Sequence, residues 1–295
     1  KPYLCSSYPE NNLFTLKKRL IPIEDLKRLP GKVIAFFCIF TPKNYYMQTE
    51  LKQQIARLAA KYETTQFLPA DPSSFMHRVH GAANQECMAF LASCLSYGSR
   101  KQFFPKIEFL LNSSHDEIHK WVRSGEWRNY IPDTTACYYR LYTCHDMHCL
   151  LEAYEDMLAQ YGSMKEYIRL NAKTGIEAVA AICQFFAERG ASKIIPKNTT
   201  SACKRVCMFL RWMVRGESVV DLGLWSDIID RRTLIMPLDT HVVQEACRMG
   251  LLNSRTASMS TARRLTNAML EIFPDDPLKG DFALFGLGVD DNAKP

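Results

Sequence analysis

The side chains best suited to covalent chemistry lie in the last third of the chain, where Lys204 and Asp239 stand 35 residues apart (239 − 204). The lysine falls on a helical pattern, Ser201 to Val214, in which Ala202, Val206, Phe209, Leu210 and Met213 share one apolar face. Lys204, Met208, Arg211 and Arg215 recur on the opposite face at i, i+4, i+7 and i+11. They make a mostly basic stripe whose simplest reading is a solvated surface. An amine becomes a nucleophile only without its proton. Arg205, Arg211 and the helix N-terminus are the sources of positive potential that would press Lys204 toward that state. Asp239 precedes a second helical pattern, His241 to Met249, closed by Gly250, and reads as its N-cap, a role that by itself is structural.

Other candidates compete with this pair. The run Cys144-His145-Asp146-Met147-His148-Cys149 resembles a metal cluster, with Cys144 and His148 one helical turn apart. No second ligand pair lies at a suitable spacing, so the expectation is no metal, with Asp146 as a helix cap and the histidines packed locally. Asp71-Pro72, with His77 and Arg78, either starts a helix or lines a binding surface. Trp121, Trp127, Trp212 and Trp225 read as core, because aromatic side chains dominate cores.

The elements that must position these residues are helical. Leu51, Ile55, Leu58 and Ala59 mark one buried face. Further helices are predicted over Ala83 to Tyr97, Phe103 to Leu111, His148 to Gln160, Gly175 to Glu188, Thr261 to Phe273, and Leu278 to Leu287 after an Asp276-Pro277 start signal. Gly125 to Asp133 and Gly216 to Pro237 read as loops, and strand alternation is hard to find. Of the 295 residues 47% are hydrophobic, enough to fill a core and to set disorder aside. The formal charge of +6 suits a polyanionic partner without demanding one. Eleven cysteines are scattered with no disulfide-scaffold spacing, which favours a reducing compartment, the cytoplasm. The first methionine is Met47. Residues 1–46 are expected to be a non-native or disordered leader, since the apolar run Val33 to Phe40 is too short to span a bilayer and no small-residue cleavage site follows it.

The string Pro237-Leu238-Asp239-Thr240-His241-Val242, followed by Arg248-Met249-Gly250-Leu251, resembles the segment around the catalytic aspartate of the helix-hairpin-helix DNA glycosylases. Lys204 stands at the start of a helix, as the lysine of their bifunctional members does. Its separation from Asp239 is long for the endonuclease III branch and similar to the archaeal 8-oxoguanine glycosylase branch. From Met47 to Val289 the chain looks closer still to a bacterial family distantly related to that branch, through Cys203-Lys204-Arg205, Met208 to Arg215, Val220 to Trp225 and Asp281 to Gly288. Two features depart from the typical pattern. The hairpin stretch Ile195 to Thr200 lacks the Gly-x-Gly turn that holds a DNA phosphate, and the four-cysteine iron–sulfur signature is missing, only Cys247 following Asp239.

The resemblance implies an all-α fold over 47–295, two packed helical subdomains with a helix-hairpin-helix-like element and no significant sheet. It implies excision of an oxidised purine, 8-oxoguanine, from double-stranded DNA by a monomeric enzyme without cofactor or membrane association, in the nucleoid-bearing cytoplasm. Lys204 would form a Schiff base that permits elimination of the 3′ phosphate, and Asp239 would orient the amine and stabilise positive charge on the sugar. Asp281 and Phe285 match an aspartate and an aromatic that touch the base, with Tyr97 and Met208 completing the pocket. Lys197, Thr199 and Ser201, in place of the glycine turn, and Arg205, Arg211 and His241 would bind the DNA. Two other readings stay open: a catalytically silent helical module that binds nucleic acid or a protein, and an N-glycosidase acting on RNA or a free modified nucleoside, which the absent glycine turn favours.

Overall fold

A computed structural model describes residues 42–292, and the side chains of 49–290. The expected leader therefore lies, for residues 1–41, outside the described residues. Helix α1 (Pro42–Tyr62) begins five residues ahead of Met47, with proline in its first turn, where a missing N–H is no loss. The chain divides into two compact units, Lys1–Leu51 and Lys52–Pro295. Of the first, only the opening of α1 is described; the second holds all the remaining elements.

The fold is all-α. After α1 and two 3-10 segments, Thr65–Ala70 and Pro72–His77, come α2 (Ala82–Leu95), α3 (Arg100–Ser113) and α4 (Ile118–Arg123). A small antiparallel hairpin of β1 (Cys137–Tyr139) and β2 (Tyr142–Thr143) is next, then α5 (Cys144–Tyr161), α6 (Met164–Asn171) and α7 (Gly175–Glu188). The chain closes with α8 (Lys204–Val214), α9 (Thr240–Arg248), α10 (Met259–Leu270) and α11 (Lys279–Asn292). The hairpin is the whole sheet among the described residues. Its tip, Arg140-Leu141, has φ 54° at Arg140 and leaves Leu141 exposed.

Helix α2 is the centre of one group of helices. It is buried from Glu86 to Leu95, apolar nearly all round, so neighbours cover every face. Phe90 meets Tyr154 of α5, Phe186 of α7 and Phe209 of α8 with ring centroids 4.7–5.4 Å apart, and Phe209 in turn meets Trp225 at 5.2 Å. All four tryptophans are buried, as expected. The buried Glu86 carboxylate is pushed up by desolvation, yet it accepts from the amides of Met164 and Lys165 and from Trp225 Nε1 at 2.9–3.2 Å. It thereby satisfies the open N-terminus of α6.

A second group comprises α9, α10, α11 and the end of α1. Gly288 permits one of its close contacts: a Cβ there would lie 2.8 Å from the His241 Cβ, so glycine lets α9 and α11 close to this distance. In the Cys144–Cys149 run, Thr143 is the N-cap and Asp146 its capping-box partner, donor and acceptor exchanged at 2.7 and 3.1 Å. His148 Nε2 bonds the Ile131 carbonyl at 2.5 Å and His145 Nδ1 bonds Asp133 at 2.7 Å, which accounts for both histidines as local packing.

The two groups are joined by a buried charge network that corrects the basic-stripe reading. Arg211 and Arg215 are 4% and 1% exposed, not solvated. Arg211 lies between Asp221 and Asp281. Arg215 donates to Asp276 at 2.8–3.0 Å, to Glu63 at 2.8 Å and to Asp221. Spacing places them opposite the apolar face, but that side of α8 meets Asp281 of α11 together with Asp221, Asp276 and Glu63 from the connecting segments. Asp276, read as a helix-start signal, is committed to Arg215, and α11 begins only at Lys279.

Candidate functional site

Lys204 is the first residue of α8. The residue before it, Cys203, has φ 46° and ψ 38° and offers the helix no side-chain cap. The helix starts three residues later than the periodicity predicts, because Ser201 pairs instead with Ser258 in an isolated bridge. Asp239 caps α9 as expected, its Oδ1 accepting from the His241 amide at 3.0 Å. Its Oδ2 accepts from Lys204 Nζ at 2.8 Å. One carboxylate thus fixes a helix with one oxygen and the amine with the other. Burial pushes Asp239 up, but Lys204's charge and hydrogen bond and the His241 amide outweigh it, and the carboxyl sits below its ordinary value. The amine and carboxylate side chains keep 31% and 20% exposure, so a ligand can reach both.

They face an open cleft of about 840 Å³. Its walls also carry Asp281, Phe285, Tyr97, Met208, Ser201 and His241. Asp281 is buried and bonded to Arg211. Burial raises its carboxyl, Asp239's charge adds to the rise, and with Arg211 and Lys204 opposing, it is pushed up to about 6. Phe285 lies 6.1 Å from the His241 ring and 6.0 Å from Phe67, with the Arg100 guanidinium 5.7 Å above its face. Tyr97 is partly exposed. The Arg140 guanidinium of the hairpin tip lies 4.8 Å from its ring, and its carbonyl accepts from Tyr139, which moors the hairpin to the cleft rim.

Four of the expected DNA contacts sit differently from the expectation. Arg205 donates to the carbonyls of Cys94 and Ile194, both at 2.5 Å, and to Tyr142 Oη at 2.6 Å, tying α2, the hairpin and the α7–α8 connection together. Arg211 is fully engaged by carboxylates. Both line the cleft with their guanidiniums held by protein acceptors, so neither is available to grip a phosphate, and neither is the unpaired cation expected to act on Lys204. Lys197 and Thr199 lie outside the cleft, on a separate depression of about 500 Å³ beside Gln184 and Glu188 of α7. The turn between α7 and α8 is shaped by Asn198, whose Oδ1 accepts from the Thr200 amide at 3.0 Å, in the place where the resemblance leads one to look for glycines.

Arg100, Phe67, Cys203 and the Arg140 tip were not foreseen as site residues. Only Arg100 had a sequence signal, its closeness to Tyr97 and Gly98; the others reach the cleft through tertiary packing. No group of three or more His, Cys, Asp or Glu residues able to hold a metal occurs among the described residues, and no helix among them is long and apolar enough to cross a membrane.

Fold and cleft together define an all-α protein with a lysine–carboxylate pair in an aromatic-walled groove. Residues 71–290 match the family described as "Protein of unknown function (DUF2400)", and the chain belongs to that family. No curated protein matches the chain, and no solved structure does.

Proposed function

We propose that this chain is a DNA base-excision glycosylase and lyase that removes an oxidised purine, 8-oxoguanine being the substrate the resemblance favours, in the cytoplasm where the nucleoid lies. The observation that carries the proposal is the 2.8 Å contact of Lys204 Nζ with Asp239, made inside a cleft that also gathers Asp281 and Phe285 from a distant helix. Excision breaks an N-glycosidic bond through a cation-like sugar. Lys204 attacks the anomeric carbon, and the proton it sheds balances the one the departing base requires. Asp239, held ionised by its neighbours, is a poor proton store and a good counter-charge, so its role is to orient the amine and stabilise the positive sugar. The resulting Schiff base allows elimination of the 3′ phosphate. Phe285 supplies a stacking face for an extruded base and Asp281 a polar contact for its edge.

Borohydride trapping tests the reading. Wild-type protein is expected to form a covalent adduct with duplex DNA carrying 8-oxoguanine and Lys204→Gln none. Absence of adduct and of cleavage with the wild type removes the bifunctional assignment. The free-nucleoside reading is favoured instead if the same chain releases 8-oxoguanine from the nucleoside but not from the duplex.

A further inference from the structure

We propose that Cys183 and Cys203 form an oxidisable pair, a modification site at which hydrogen peroxide entering the cleft reacts with Cys203 and Cys183 then closes a disulfide beside Lys204. The inference does not depend on the glycosylase reading. The two sulfurs lie 3.8 Å apart, Cys183 within α7 and Cys203 at the residue leading into α8. Closing them to a bond of about 2.05 Å requires an approach of roughly 1.8 Å. Both are buried, Cys203 3% and Cys183 0% exposed, but Cys203 is part of the cleft wall and Cys183 is not.

Cys203 sits among hydrogen-bonding groups: its thiol donates to the carbonyls of Asn198 and Ser201 at 3.4 Å, and the Ser201 hydroxyl at 3.6 Å is placed to donate to the sulfur once the proton has left. Hydrogen bonding from Cys183 brings the Cys203 thiol down to about 7, with burial opposing and the Ser201 hydroxyl assisting, while Cys183 is driven upward. Of the two, Cys203 therefore gives up its proton more readily and is the nucleophile. Cys87, Cys94 and Cys207 are buried and pushed upward, so they are inert by the same criterion.

The chemistry balances without a cofactor. The Cys203 thiolate attacks one peroxide oxygen, the O–O bond breaks, and the departing hydroxide takes up a proton to become water. Cys203 is then a sulfenic acid. Cys183 attacks its sulfur, the S–S bond forms, the S–O bond breaks, and a second water leaves with the Cys183 proton. Two thiols are oxidised to a disulfide and one peroxide is reduced to two waters. The disulfide ties α7 to the residue next to the amine, so the position of Lys204 against Asp239 depends on it.

Peptide mapping decides the matter. The full chain is treated with hydrogen peroxide, its remaining thiols are alkylated under denaturing conditions, and it is cut with trypsin without reduction. Cleavage after Lys173, Arg189, Lys197 and Lys204 separates peptide 174–189, with Cys183, from peptide 198–204, with Cys203. The expected result is loss of both alkylated peptides in favour of one disulfide-linked species that dithiothreitol resolves. In Cys183→Ala, peptide 198–204 should instead carry a sulfenic acid that dimedone captures. Peptide 174–189 remaining alkylated at peroxide levels that oxidise the exposed Cys137 overturns the proposal, as does a linkage of either cysteine to another partner. Schiff-base trapping with cyanoborohydride, which leaves disulfides intact, before and after oxidation adds a second readout, a loss of adduct that dithiothreitol restores. If the wild type forms no adduct at all, the glycosylase reading falls, and the peptide map still decides this one.

Discussion

Replacing Arg215 with methionine tests the network that holds the two helix groups together. Arg215 is 1% exposed and serves three carboxylates, Asp221, Asp276 and Glu63. Methionine fills much of the volume, so the loss is chiefly electrostatic. Removing one member of a buried ion network leaves uncompensated charge and costs about 3–5 kcal/mol. A domain of this size loses about 2–4 °C per kcal/mol, so the midpoint should fall by roughly 6–20 °C. The pH dependence follows from the same residues. Burial already holds Asp221 above its ordinary value despite both arginines, and without Arg215 it loses one of those opposing cations and rises further above its unfolded value. The folded variant then binds protons more tightly than the unfolded chain, so its deficit against wild type should be largest near about pH 8 and shrink toward about pH 5. Denaturant unfolding at both pH values, with Arg232→Met as the exposed control, measures this. The control breaks a solvent-screened surface pair with Asp230, so little change in stability is expected. Equal behaviour of the two variants, or a deficit that grows toward acid, refutes the argument.

Asp239→Asn keeps a good helix cap and should leave stability nearly unchanged, whereas Asp239→Ala should cost about 1 kcal/mol; both should lose excision while retaining DNA binding. Equal loss of folding and activity in both would mean a purely structural cap. Because Asp239 sits below its ordinary value and Asp281 is pushed up to about 6, the acid limb of a pH–activity profile should come from Asp281. Activity should fall as pH drops through that range, and Asp281→Asn should remove the inflection; a limb that persists in this variant assigns it elsewhere.

The helical skeleton was legible because it follows local rules. Gly175 to Glu188 matches α7 to the residue, and Asp239 caps α9 as its side chain predicts. The helices at Ile118–Arg123 and Met164–Asn171 escaped notice: they are short, and the start of the second is completed by Glu86 from far away in sequence. In the site, Lys204, Asp239, Asp281, Phe285, Tyr97, Met208, Ser201 and His241 do converge on one cleft. What spacing could not show is which cations are already taken. Arg205, Arg211 and Arg215 look alike on a helical wheel, and only the folded chain shows that each has its donors engaged by carbonyls or carboxylates. The left-handed conformation of Cys203, likewise, has no signature in a side chain that rarely adopts it.

The network around Arg215 also says something about the order in which the molecule is made. Its bonds join residues 61 and 152 positions apart, and the Arg211–Asp281 bond spans 70. Contacts of such sequence separation form late, after local helices, since chain entropy must first be lost. Asp281, which closes the network, is also a wall of the cleft facing Lys204. A nascent chain without its last helix therefore carries the lysine but neither the second carboxylate of Arg211 nor the complete groove. On the proposed glycosylase reading, the amine of Lys204 meets its full site only when both ends of the unit have arrived, so completion of folding would itself be the step that switches the site on.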